Sequence, residues 1–134
     1  TGDNYDPIIA ARLRNGANIS AADYLDLIDA RAEMISVTNN TSRPYDALIM
    51  PTLPIVPVPV APLETDSELW LSTNLKMIRN NGLANFFDRC ALTIPCHVPG
   101  EAPVGLMLFG ETMADWRLLS IGKAVEAALK LTRI

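Results

Sequence analysis

The sequence predicts an α/β fold, a small mixed sheet flanked by helices, on a chain of 134 residues. Three observations carry that prediction. The chain opens and closes on apolar residues at helical spacing. Three short apolar runs between them, YDALIM, ALTIPCHV and VGLMLFGE, read as strands. The two patterns then follow each other as α-α-β-loop-α-β-β-α rather than segregating into halves. The length suffices for one domain with a core and not for two, so residues 1–134 are read as a single domain or as one fragment of a larger one.

The first helix is predicted over residues 7–15. Asp6 before Pro7 supplies an N-cap and a first helical residue, and Gly16 supplies the stop. A second helix starts in NISAADYLDLIDARAEMISV. Ser20 is its N-cap, Asp23 sits at the reciprocal capping-box position, and Ile19 can staple onto Tyr24. Tyr24, Leu27, Ile28, Met34 and Ile35 then share one face, with Asp26, Asp29 and Glu33 turned to solvent. The break is predicted between Asn39 and Pro44.

YDALIM is the first strand, and Pro51 ends its pairing because proline has no N–H to give to a ladder. Five of the ten prolines fall between Tyr45 and Glu64, so the chain beyond Pro51 follows an extended, polyproline-like path with few backbone bonds. The valines along that track still favour burial, so the track needs a neighbour to lie on. Residues 65–74 read as a polar turn leading to a helical patch over residues 75–88. ALTIPCHV and VGLMLFGE follow, joined through a tight turn at Pro99–Gly100–Glu101. In the latter, Val104, Leu106 and Leu108 face one way and Met107 and Phe109 the other, which marks an interior strand covered on both faces. The last helix, over residues 114–131, carries Leu118, Ile121, Val125 and Ala128 on its stripe.

Composition excludes several classes. Eleven basic and fifteen acidic side chains leave a net charge of −4, so there is no clustered basic excess and no nucleic-acid partner is expected. The longest apolar stretch is broken by prolines and does not read as a transmembrane helix, so no membrane partner is expected either. Cys90 and Cys96 lie six residues apart, about 20 Å in an extended segment, beyond disulfide reach. Free thiols fit a reducing, cytoplasmic setting. The chain opens on Thr1 without an initiating methionine, as expected of a processed product or a piece of something longer.

Four ordered blocks, YDALIMPTLPIVPVP, ANFFDRCALTIPCHVPG, APVGLMLFG and LLSIGKAVEAAL, resemble the C-terminal third of the amidase-signature family. Asp46, Ala47, Pro51, Thr52 and Pro54 match the family's strand exit. Asn85, Pro95 and Cys96 match its asparagine-led helix and following strand, and Pro103, Val104, Gly105 and Leu106 match its next strand. GANISAADYLDLIDAR is similar to the helix that precedes this block. The resemblance implies the C-terminal part of the amidase-signature fold. It implies a parent enzyme without cofactor or metal that cleaves a carbon–nitrogen amide bond through a serine acyl-enzyme, with a second serine and a lysine. It also implies that the partner is the remainder of the amidase chain or a homo-oligomer, and that the parent's substrate is a small amide.

One departure is large. The family's Gly/Ser-rich signature is missing: the serines are Ser20, Ser36, Ser42, Ser67, Ser72 and Ser120, none with a glycine neighbour, and the lysines are Lys76, Lys123 and Lys130. The chain alone is therefore expected to be inactive, with no catalytic residues of its own. The alternative is a non-catalytic binding or scaffold module on an amidase-like fold.

The resemblance places Arg79, Asn80 and Asn81, just before Asn85, in the segment that lines the substrate pocket. Arg79 could hold a substrate carboxylate bidentately, or be a surface arginine tied to a loop carbonyl. Asn85 could touch substrate or satisfy buried backbone groups. Cys96 and His97 suggest a thiol–imidazole pair, but adjacent strand residues point to opposite faces and cannot share a proton, so the cysteines read as small hydrophobes. Trp116 reads as a core or interface anchor. Glu64, Asp66 and Glu68 read as a solvated turn, and no metal site is expected.

Overall fold

The computed structural model describes residues 4–131 and divides into two compact units, residues 1–34 and residues 35–134. In the first unit α1 spans Pro7–Arg14. Asp6 Oδ1 accepts from the Ile8 amide at 2.9 Å, and Pro7 contributes no N–H to be satisfied. A 3-10 turn over Asn15–Asn18 takes over at the position where Gly16 predicts a stop. The long helix α2 spans Ala21–Ser42 and begins with the predicted capping box. The Asp23 amide donates to Ser20 Oγ at 3.1 Å and the Ser20 amide donates to Asp23 Oδ2 at 3.1 Å. The Ser20 hydroxyl also donates to Asp23 Oδ2 at 2.7 Å, and this bond first, then the one from the Ser20 amide, holds the Asp23 carboxyl below its ordinary value of 3.8.

Two expectations for α2 are corrected. The helix runs through Asn39 to Ser42 instead of breaking there. Tyr24, Leu27, Ile28 and Met34, predicted to face a core, are exposed. The periodicity is real, but within the first unit that face is not covered.

The second unit is a three-stranded sheet between helices. β1 spans Leu48–Pro51, β2 Ala91–Pro95 and β3 Gly105–Phe109, in the order β1-β3-β2. Both outer strands pair antiparallel with β3, with Leu48 and Ala91 opposite Phe109. No adjacent pair is parallel, so the sheet is antiparallel rather than mixed. β1 and β2 do run in the same direction, but β3 lies between them. β3 is the interior strand its two apolar faces predict: Met107, Leu108 and Phe109 are all buried.

On one face Ile94, Leu108 and Leu118 form a core with Leu92, Ile121, Val125 and Leu129. Leu118 to Leu129 belong to the last helix, Asp115–Leu131. Leu129, not the predicted Ala128, completes the stripe. Trp116 on the same helix is 85% exposed and anchors nothing among the described residues. On the other face Met107 and Phe109 pack with Ala84, Leu48 and Met50.

Between β1 and the second sheet strand the chain makes a short helix, α3 (Ala61–Thr65), and then α4 (Ser67–Phe86), with the last helix numbered α5. α4 begins within the segment expected to be a polar turn. Asp66 caps it, accepting from the amides of Glu68 and Leu69 at 3.0 and 2.9 Å. Asp66 is thus a cap and not part of an acidic turn. The proline track from Leu53 to Pro59 lies outside helix and strand, and among the described residues it makes no backbone–backbone hydrogen bond, as its composition predicts.

Candidate functional site

Arg79, Asn80, Asn81 and Asn85 all lie on α4. Successive helical residues turn by about 100°, so the four do not share a face. Asn81 and Asn85, four apart, lie on one side. Asn80 points elsewhere and is buried, 8% exposed, with Nδ2 donating to the Pro51 carbonyl at 2.7 Å. That bond ties α4 to the end of β1. Arg79 is exposed, and its Nε donates to Asn80 Oδ1 at 3.4 Å. The structure thus joins Arg79 to Asn80 and separates both from Asn81 and Asn85.

The sheet end next to Asn80 is polar. Thr52, one residue past β1, donates its amide to the Gly105 carbonyl at 2.8 Å. Its hydroxyl bonds the Thr93 hydroxyl at 3.1 Å, across the Gly105 position of the central strand. Gly105 is needed for that approach. A Cβ there would stand 2.7 Å from both Thr52 Oγ1 and Thr93 Cγ2.

A cavity of about 320 Å³ opens where α4 ends, β2 begins and β3 runs into α5; Asn85, Asp88, Arg89, Cys90, Thr112 and Asp115 line it. Two non-glycine residues with left-handed backbones, Asp88 (φ 57) and Met113 (φ 60), stand on its wall. Tertiary bonds fix the chain around Asp88. The Thr112 hydroxyl donates to the Asp88 carbonyl, the Gly110 amide to the Cys90 carbonyl at 3.0 Å, and Cys90 Sγ to the Glu111 carbonyl at 3.0 Å.

Sequence reasoning missed Arg89. It is buried, 8% exposed, and donates to Asn39 Oδ1 at 2.8 Å, to the Ser42 hydroxyl and to the Gly110 carbonyl at 3.4 Å. Its Nε has no partner among the described residues. An arginine inside FFDRCAL, at the entry to an apolar strand, was the available signal. Arg89 connects three chain segments, which makes it structural rather than a ligand for the cavity.

Cys96 and His97 lie beyond β2, which ends at Pro95, so strand alternation does not reach them. Cys96 Sγ donates to the Val104 carbonyl at 3.5 Å and His97 Nδ1 lies 3.4 Å from the same oxygen. Both groups serve one backbone carbonyl. Cys90 and Cys96 are free. Among the described residues no three His, Cys, Asp or Glu side chains are grouped to hold a metal ion, and no helix is long and apolar enough to cross a membrane.

Four of the serine hydroxyls are hydrogen-bonded within the described residues. Ser20 caps α2, Ser42 accepts from Arg89, Ser72 donates to the Leu69 carbonyl at 3.0 Å and Ser120 to the Trp116 carbonyl at 2.9 Å. Lys130 pairs with Glu126 at 3.0 Å.

Comparison with known proteins follows the same lines. The family described as Amidase matches residues 2–119. The chain is 31% identical over 131 residues to 2-amino-5-chloromuconic acid deaminase of Comamonas testosteroni, covering 95% of this chain and 28% of that protein. It is 26% identical over 130 residues to a glutamyl-tRNA(Gln) amidotransferase subunit of Salinispora arenicola, covering 93% and 26%. The crystal structure of a glutamyl-tRNA(Gln) amidotransferase subunit from Thermotoga maritima superimposes with a TM-score of 0.62 at 25% identity, over 92% of this chain and 28% of that one. The chain therefore spans little more than a quarter of the length of these relatives.

Proposed function

Since the chain belongs to the amidase family, we propose that it is the C-terminal segment of an amidase domain whose parent cleaves a carbon–nitrogen amide bond through a serine acyl-enzyme. The observation that carries the reading is the family match over residues 2–119, together with coverage of little more than a quarter of its relatives. In this reading the segment contributes the β1-β3-β2 strands and one wall of the substrate pocket. The rest of the chain supplies the serines and lysine of the reaction.

Arg79 is the specificity element of that wall and holds a substrate carboxylate. Two things support this. Its guanidinium stands exposed on a helix fixed to the sheet through Asn80, and the Comamonas relative is named for acting on an amino-substituted acid. Asn81 and Asn85 face a different side of α4 from Arg79 and meet another part of the substrate, Asn85 at the edge of the 320 Å³ cavity. The free thiols support a cytoplasmic setting. The exposed apolar face of α2 supports a partner, either the remainder of the chain or a second copy.

Acyl transfer needs a nucleophile, a base and oxyanion donors converging on one carbon. The hydrogen bonds of Ser20, Ser42, Ser72 and Ser120, none of them to a lysine, support the reading that no such group is assembled here. The isolated 134 residues are therefore expected to hydrolyse aryl and aliphatic amides no faster than buffer. In the full-length parent, Arg79→Ala is expected to raise KM for acidic amides by roughly 10- to 100-fold and spare neutral ones, the loss of a charge-assisted contact. Turnover by the isolated chain, abolished by Cys96→Ser, would overturn the reading.

A further inference from the structure

Of the four α4 side chains assigned to the pocket, Asn80 is the one that substrate does not reach. It is only 8% exposed, and both ends of its amide are in use. Nδ2 donates to the carbonyl of Pro51, the last residue of β1, and Oδ1 accepts from Arg79 Nε. A side-chain amide can donate to a carbonyl with one end and accept from a guanidinium with the other. A carboxylate lacks the donor, and a hydroxyl lacks the span between the two.

The Pro51 end of that link is fixed. Thr52 is locked to the central strand by its amide bond to Gly105 and by its hydroxyl bond to Thr93. An unbroken series therefore runs from Gly105 through Thr52, Pro51 and Asn80 to Arg79 Nε. The Arg79 terminal nitrogens make no hydrogen bond or ion pair among the described residues. An acceptor on Nε restricts the rotation of the guanidinium plane and leaves the two terminal nitrogens as an open fork. That is the geometry for meeting a carboxylate end-on with two parallel bonds.

We infer that Asn80 is a positioning residue for Arg79. It fixes the guanidinium by its Nε edge, so that the terminal nitrogens present a fork to the carboxylate of an acidic amide. The inference rests on the reading of Arg79 as the carboxylate anchor, and the two fail differently.

The test is steady-state kinetics of the full-length enzyme on a matched pair of amides, one carrying a carboxylate and one neutral, with Arg79→Ala, Asn80→Asp and the double variant. Asn80→Asp keeps the shape and an acceptor toward Nε, loses the donor to Pro51, and sets a negative charge beside Arg79 that competes with substrate. KM for the acidic amide should rise roughly tenfold, the neutral amide should change less than about twofold, and the double variant should add nothing to Arg79→Ala. Equal loss on both amides from Asn80→Asp, with Arg79→Ala still selective, would make Asn80 merely structural and overturn the inference while the anchor stands. Arg79→Ala without selectivity would overturn both. Asn80→Ser removes the acceptor on Nε without adding a charge and should also raise KM for the acidic amide severalfold; a selective rise in Asn80→Asp alone would be charge competition and would overturn the positioning role. The Arg79 Nε–H resonance of the 134-residue chain should move in Asn80→Ser and stay in place in Ser20→Ala, and an unmoved resonance in Asn80→Ser would overturn the positioning role.

Discussion

Substituting Gly105 by alanine tests how the sheet is built at the end nearest the proposed site. The added methyl would stand 2.7 Å from Thr52 Oγ1, 2.7 Å from Thr93 Cγ2 and 3.3 Å from Thr52 Cβ. Contacts below about 3 Å must be relieved, and both neighbours are β-branched residues with stiff χ1 torsions. Turning the two threonines off their rotamers costs about 0.5–1.5 kcal/mol each. It also breaks the 3.1 Å hydroxyl bond between them, a further loss of about 0.5–1.5 kcal/mol. Alanine recovers up to about 1 kcal/mol by narrowing the unfolded chain. The balance is a destabilisation of about 0.5–4.5 kcal/mol, centred on roughly 2–3 kcal/mol.

Urea unfolding followed by tryptophan fluorescence measures it. With a slope of roughly 1–3 kcal/mol/M for a small protein, the midpoint should fall by about 1 M at unchanged slope. The clash should also be removable. In a Thr52→Ala, Thr93→Ser background both 2.7 Å contacts are gone and only the 3.3 Å contact with the Cβ at position 52 remains, so Gly105→Ala should cost less than about 0.5 kcal/mol. A single variant as stable as the parent would refute the close approach of Thr52 and Thr93 over Gly105. So would an equal loss in both backgrounds.

Two further predictions follow from local chemistry. Thiol titration of the denatured protein without reductant should count two thiols per chain, since Cys90 and Cys96 are free and bond to the carbonyls of Glu111 and Val104; a count of zero in monomer would contradict this. The Asp23 carboxyl is held below 3.8 by Ser20, so its support of the α2 N-terminus is present above that pH and is lost as pH falls through the lower folded value. A carboxyl-detected NMR titration should show Ser20→Ala returning Asp23 toward 3.8, and an unchanged midpoint would contradict the capping assignment.

Much of the fold was legible because its signals are local. The Asp6–Pro7 cap, the Ser20–Asp23 box and the two apolar faces of VGLMLF each depend on residues within a few positions. What was misread depends on distant partners. Asn39, Asn40, Thr41 and Ser42 are weak helix formers, and their propensity predicts a break. The helix persists through Ser42, where the Arg89 guanidinium, 47 and 50 residues away, bonds Ser42 and Asn39. The start of α4 was misplaced for another reason. Asp66 and the polar residues after it read as a turn, yet an aspartate ahead of Glu68 is also an N-cap. At the candidate site the sequence could group Arg79 to Asn85 on one helix. It could not show that Asn80 turns inward to Pro51, because the partner is 29 residues earlier.

The apolar face of α2 shows what periodicity does and does not say. Tyr24, Leu27, Ile28 and Met34 are 60%, 57%, 46% and 47% exposed. Burying side chains of this kind is worth about 1.5–3 kcal/mol each when complete, and even half of that, summed over the four, approaches the roughly 5–15 kcal/mol that holds a typical domain together. A pattern of that size reflects burial, but nothing in a helical period of about 3.6 residues states which chain provides the cover. The charges support a face with two sides rather than a uniformly greasy helix, since Asp26, Asp29 and Glu33 alternate with the apolar positions and are exposed as well. The interior strand β3 carries the contrasting case: its apolar residues are covered within the described chain, on one face by α5 and on the other by Ala84 of α4. The same physical signal therefore marks a covered core in VGLMLF and an exposed face in α2, and only the structure separates the two.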